Sequence, residues 1–477
     1  MVNVLALVKV LALLLATAAP DPRCLGLADL SSADMTIERA ELSVSAPAPT
    51  NEPARRICRV RGVARPGPSS RVGFEVWLPA QGWTGRYVQL GNGGFAGNID
   101  LPGLAAESAH GNAAAMTDTG HRADRFDASW AAGQPERIAD YGHRSIKATS
   151  DAARALIRAY YGRAPDHRYF VGCSNGGRQA LMAAQRYPQD WDGIVAGAPA
   201  NLWTDQLVSF ASLQHHLRTR PGAWIATGKL PAIQRAALAA CPPGSVARGA
   251  AQQPESCRFD PAVLLCRGAE TDTCLTARQV ESVRRIQAAG FEATAAAAPD
   301  GWARWIVNPD PSAPSQLTFA VQAFRYLFGE NPRWSIADFD PGHARPPAEI
   351  RRLLDAETLD FSAFRARGGR IISYFGWADA LISPHASLAY YRRVMRRTGG
   401  PERTLDFYRL FMVPGMAHCQ GGVGPTSFGQ SLPAPSLGDD RRYDIRRALE
   451  AWVERKLAPD QLIAAGDGAI QELRPSQ

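Results

Sequence analysis

The chain has 477 residues, 45% of them hydrophobic and 21% charged. That composition excludes a disordered tail or a collagen-like rod and supplies a large buried core. The formal charge of +8 comes from 53 basic against 45 acidic residues, but the basic residues are scattered and form no run of five, which argues against a nucleic-acid partner.

In chain order, Val4 to Ala16 is an apolar run that leads into Ala16-Thr17-Ala18 and Pro20. A short apolar run before small residues predicts a secretory signal peptide over residues 1–18, and hence a secreted or periplasmic protein. No later segment holds the roughly 18 uninterrupted apolar residues of a membrane span. Export gives the eight cysteines, Cys24, Cys58, Cys173, Cys241, Cys257, Cys266, Cys274 and Cys419, an oxidising compartment in which disulfides persist. Their spacings contain no C-x-x-C and resemble no zinc site.

Arg71–Leu78 and Arg86–Leu90 have strand character, separated by the turn Gly82-Trp83-Thr84-Gly85. The second strand runs into Gly91-Asn92-Gly93-Gly94-Phe95-Ala96-Gly97. A helix is expected from about Glu136 to Tyr161, a strand over Tyr169–Gly172, a helix over Gly176–Tyr187 and an apolar run over Gly193–Ala198. Near the C-terminus the order returns: strand Arg370–Phe375, helix Pro384–Thr398, strand Thr404–Val413, helix Asp444–Lys456. Alternating strand and helix predicts an α/β fold with a parallel sheet. Between the halves the pattern breaks; residues 201–355 hold four cysteines and many aromatics, among them Trp203, Trp224, Trp302, Trp305, Phe324 and Trp334. This stretch reads as an inserted lid domain, with residues 24–200 and 356–477 forming the catalytic domain.

The sharpest chemical signal is Gly172-Cys173-Ser174-Asn175-Gly176, a G-x-S-x-G between a strand and a helix. A tight turn there exposes the hydroxyl, and the helix start offers N–H groups to a developing oxyanion. A serine nucleophile needs a base, and the base a carboxylate, in the chain order Ser, Asp, His. Downstream of Ser174 the histidines are His215, His216, His343, His385 and His418. The first three fall in or near the insertion, and His385 opens a helix, a packing or capping position. His418 lies in the loop after a strong strand. Asp379 follows the strand Arg370–Phe375 and precedes His418 by 39 residues, room for one helix and one strand. Asp406 is the runner-up carboxylate, on the wrong edge of the sheet. Cys173 and Cys419 flank the candidate nucleophile and base; if these meet, the two sulfurs come close enough to test as a disulfide across about 245 residues.

The sequence resembles the tannase and feruloyl esterase family, which includes the bacterial hydrolase of mono(2-hydroxyethyl) terephthalate. The resemblance rests on Gly172-Cys173-Ser174-Asn175-Gly176-Gly177-Arg178, on Gly376-Trp377-Ala378-Asp379 with Ile382-Ser383-Pro384, and on His418-Cys419. Gly91-Asn92-Gly93-Gly94-Phe95 and Thr117-Asp118-Thr119-Gly120-His121 match as well. It implies an α/β-hydrolase sheet flanked by helices with a large inserted lid, and a Ser174, Asp379, His418 triad. It implies an oxyanion hole from the N–H of Asn175 and of Gly93 or Gly94, and the pairs Cys24 with Cys58, Cys241 with Cys257 and Cys266 with Cys274. Relatives carry an aspartate-rich calcium loop after the cysteine matched by Cys241; here Pro242 to Gly249 contain no carboxylate and Arg248 opposes a cation, so no metal or other cofactor is expected.

The expected activity is hydrolysis of small-molecule esters of aromatic acids, with the aromatic-rich insertion over the ring and no membrane contact after signal cleavage. A serine hydrolase of other specificity, lipase or peptidase, and a non-catalytic binding protein on the same fold are the alternatives.

Overall fold

The computed structural model describes residues 21–45, 54–430 and 440–477; the expected signal peptide over residues 1–18 lies outside them. A nine-stranded sheet organises the chain. Its strands are β1 (Met35–Val44), β2 (Arg56–Ala64), β3 (Val72–Pro79), β4 (Arg86–Leu90), β5 (Ala113–Thr117), β6 (His167–Cys173), β7 (Gly193–Gly197), β8 (Arg370–Gly376) and β9 (Tyr408–Val413). They lie in the order β1-β2-β3-β5-β4-β6-β7-β8-β9. The first three pair antiparallel, β3 pairs antiparallel with β5, and every pairing from β5 to β9 is parallel.

Successive residues of the central strands enter opposite cores, as the two-residue period requires. Tyr87, Ile194 and Ile371 face one core with Leu156, Leu181 and Tyr391; Val88, Val195 and Ile372 face the other with Leu104, Leu449 and Trp452. The helices that cover these faces are α1 (Leu101–Ala109), α2 (Ser145–Tyr161), α3 (Asn175–Arg186), α6 (Pro384–Thr398) and α7 (Ile445–Arg455). Burial on both faces explains why β7 and β8 are apolar nearly throughout rather than alternating. Helix α6 starts where the Ser383 hydroxyl accepts the Ala386 N–H ahead of Pro384, and ends at Gly399. No helix among the described residues is long and apolar enough to cross a membrane.

Residues 201–355 add no strand to the large sheet. They include α4 (Trp203–Thr219) and α5 (Ala277–Ala288). Their two ends meet: the Asp355 carboxylate accepts the Thr204 N–H at 3.0 Å and its hydroxyl at 2.7 Å.

Two expected elements are corrected. The helix expected over Glu136–Tyr161 runs from Pro135 to Tyr161 but widens into a π-turn at Asp140–Arg144. Carbonyls of that turn, those of Tyr141 and Gly142, accept from the buried Arg178 guanidinium at 3.2 and 2.9 Å. The strand expected over Thr404–Val413 starts only at Tyr408, because Pro401–Leu405 form a helical turn with proline in its first turn after Gly400. Asp406 lies between the two and faces Arg365 at 3.7 Å, at the end of β9 remote from His418.

Candidate active site

Strand β6 runs directly into Ser174, whose backbone sits at φ 63° and ψ −124°, and α3 starts at the next residue. A serine with positive φ is strained. The turn closes so tightly that a side chain on Gly172 would stand 2.5 Å from the Gly176 backbone, which is why glycine occupies that position. The Ser174 main chain is anchored, with its N–H on Gly197 O at 3.0 Å and its carbonyl accepting from Arg178 and Ala200. The first turn of α3 adds N–H groups that have no acceptor within the helix.

Asp379 lies just past β8 and is 1% exposed. One carboxylate oxygen accepts the N–H groups of Leu381 and Ile382 at 2.8 and 2.9 Å, and the other faces His418 Nδ1 at 2.7 Å. A carboxylate on Nδ1 fixes that nitrogen's proton and leaves Nε2 as the basic lone pair. The loops carrying the two residues interlock, with Ala378 N–H on Met416 O at 2.9 Å. The Gln471 amide donates to Pro414 O and Pro425 O, holding both arms of the histidine loop.

The eight cysteines pair as Cys24–Cys58, Cys173–Cys419, Cys241–Cys257 and Cys266–Cys274. In the second pair the Cα atoms are 6.0 Å apart. With about 3.8 Å between consecutive Cα atoms, Ser174 and His418 are thereby held within about 14 Å, Cα to Cα.

The glycine-rich turn after β4 abuts α3. The Asn92 N–H bonds Gln179 Oε1 at 2.8 Å, and the Asn175 side-chain amide donates to Asn92 O at 3.2 Å. The Gly91, Phe95 and Ala96 N–H groups donate to Val171 O, Arg125 O and Gly93 O. Beside the turn, His121 Nε2 donates to Phe95 O at 2.9 Å while its ring stacks on Trp130, with centroids 3.8 Å apart. Burial holds the His121 imidazole down at about 4, so it stays neutral.

The remaining candidate histidines lie elsewhere. His215 Nδ1 meets Ile336 O, His216 meets Ser282, and the exposed His343 meets Asp340. His385 does not cap α6; its Nε2 pairs with Glu292 at 2.5 Å and its ring packs on Trp377, with centroids 5.4 Å apart. Of the tryptophans in residues 201–355, Trp305 stands edge-on to His418 with centroids 6.3 Å apart, whereas Trp302 is core and Trp334 stacks on Phe324. Sequence reasoning missed Tyr141, Gln179 and Gln471 as neighbours of the site, because each reaches it through tertiary contact alone. The loop after Cys241 does not fit a hard cation: the Ser245 hydroxyl and carbonyl are engaged by Pro242 and Gln252, and Glu255 pairs with Arg392.

A strand-to-helix serine turn on a parallel sheet, with an aspartate and a histidine on loops after later strands, defines the α/β-hydrolase class. A solved esterase from Aspergillus oryzae superposes with a TM-score of 0.83 at 26% identity, covering 95% of this chain and 94% of that one. The family model described as tannase and feruloyl esterase matches residues 58–298 and 287–472. The chain is 41% identical over 443 residues to an uncharacterized esterase of Xanthomonas campestris pv. campestris, covering 86% of this chain and 77% of that protein. It is 30% identical to a probable feruloyl esterase B-2 of Aspergillus terreus, over 87% of this chain and 80% of that one. The protein belongs to the tannase and feruloyl esterase family and is a carboxylic ester hydrolase.

Proposed function

We propose that the enzyme hydrolyses esters of aromatic acids through a Ser174, His418, Asp379 triad and an acyl-enzyme. The observation that carries this reading is the 2.7 Å contact of Asp379 with His418 Nδ1, beside a disulfide that joins the residues next to Ser174 and His418. Ser174 Oγ attacks the ester carbonyl as its proton passes to His418 Nε2, and the imidazolium, stabilised by Asp379, returns that proton to the leaving alcohol. A water deprotonated by His418 then attacks the acyl-enzyme and releases the acid and Ser174.

The oxyanion takes the Asn175 N–H and one from the glycine turn. Of the two glycines expected there, Gly93 supports the role better: a side chain on it would meet open space, while one on Gly94 would strike Arg125 O at 2.1 Å. Residues 201–355 act as a lid domain on the catalytic body, with Trp305 against the substrate ring. Four disulfides favour secretion or the periplasm.

The test is relative kcat/KM on methyl ferulate, methyl gallate and a terephthalate monoester, against tributyrin and a peptide. Turnover of the aryl esters alone, lost at least about a thousandfold in Ser174→Ala, is expected. Peptide or triglyceride turnover of equal size would overturn the specificity, and no ester cleavage at all would favour a binding protein.

A further inference from the structure

Tyr141 lies in the π-turn, is wholly buried, and belongs to no part of the triad. Its hydroxyl stands 3.0 Å from Gly94 O and 3.1 Å from Asn175 Oδ1. Those two residues sit on the two walls of the proposed oxyanion hole, one in the turn after β4 and the other at the start of α3. A tyrosine buried only for packing satisfies its hydroxyl with one acceptor, as Tyr391 does with Tyr408 O at 3.1 Å. Tyr141 instead touches two carbonyl oxygens with one proton to give, and Asn175 Oδ1 is already held by Arg178 Nε at 2.8 Å. The O–H therefore serves the Gly94 carbonyl, and Arg178 serves the amide.

We propose that Tyr141 is a positioning residue that sets the width of the oxyanion hole by holding the glycine turn, through the Gly94 carbonyl, beside the start of α3. The inference rests on Ser174 being the nucleophile. Two N–H groups on separate elements stabilise an oxyanion only if both stay within hydrogen-bond reach of one point. The phenol is a rigid spacer for this task. Its ring is held by the Arg178 guanidinium 4.9 Å over its face and by Trp130 at 5.3 Å. His121 secures the adjacent Phe95 carbonyl, so the turn is pinned at two successive peptides.

Tyr141→Phe removes one oxygen and keeps the ring. Its kcat on methyl ferulate should fall about ten- to a hundredfold with KM nearly unchanged. Affinity for an aryl boronic acid, which forms a tetrahedral adduct with a nucleophilic serine, should fall in parallel, while affinity for the free acid product should not. Tyr391→Phe, which loses a buried hydroxyl far from the hole, should keep parental kcat. Asn175→Ala should show the same selective loss, and the double variant should lose less than the product of the two single losses. Parental kcat in Tyr141→Phe, equal loss of boronate and product binding, or independent effects in the double variant would overturn the inference. Full activity in Ser174→Ala would instead remove the reading beneath it.

Discussion

Replacing Cys173 and Cys419 together by alanine separates the role of their bridge in folding from its role in the site. The bridge closes 246 residues of chain, and loop-closure entropy makes that worth about 5 kcal/mol at 25 °C. Cys241–Cys257 and Cys266–Cys274 lie within the loop and shorten it by 16 and 8 residues, a negligible correction because the dependence is logarithmic. Cys24–Cys58 closes only 34 residues, at the far edge of the sheet, and the same relation gives about 4 kcal/mol. With an unfolding entropy of about 1 kcal/mol/K for a chain of this size, both double variants should melt about 4 to 5 °C lower. Activity should divide them. At 25 °C, where both are folded, loss of Cys173–Cys419 should lower kcat/KM on methyl ferulate at least about tenfold, since the turns of Ser174 and His418 are no longer tied. Loss of Cys24–Cys58 should leave it within about twofold. Calorimetry and initial rates measure the two effects; a Cys173→Ala/Cys419→Ala enzyme with parental kcat/KM would refute the positional role.

Burial raises the Asp355 carboxyl from 3.8 to about 6, so its folded state favours the proton. That contribution to stability is full below about pH 4 and is lost as pH rises through 6, and a two-unit shift is worth about 3 kcal/mol. Asp355→Asn should therefore gain about 2 kcal/mol on the parent between pH 4 and pH 7, measured by urea unfolding; a constant difference would contradict the assignment. Calcium or a chelator should leave Tm unchanged, because the loop after Cys241 lacks a carboxylate to bind the ion; a rise of several degrees with calcium would contradict this. Trp305→Ala should raise KM for methyl ferulate several-fold more than for a short acetyl ester; equal effects on both would remove Trp305 from the ring's wall.

The serine turn is legible in the sequence because its requirements are local: a strand, small residues and a helix start within a few positions. Asp379 and His418 are legible through chain order, as each follows a strand of the same sheet. The edge strands are not: β1 reads Met-Thr-Ile-Glu-Arg-Ala-Glu-Leu-Ser-Val, with charges at successive positions, since a half-covered edge tolerates them. Strand β5 reads Ala-Ala-Ala-Met-Thr and carries little intrinsic strand preference; its place between β3 and β4 decides it. Gly400 and Pro401 mark the start of the helical turn Pro401–Leu405, but the apolar run that follows masks it. Tyr141 is invisible for a different reason: its partners lie 47 and 34 residues away, and only the fold brings them to one hydroxyl.

The central claim is that Ser174 becomes acylated. Quenching the enzyme within the first turnover of an activated aryl ester and sequencing its peptides by mass spectrometry tests that directly. The expected result is one acyl group on the peptide bearing Ser174, absent in Ser174→Ala and accumulating in a His418→Ala background only far more slowly. An acyl group on another side chain, or full turnover with Ser174 replaced, would contradict it.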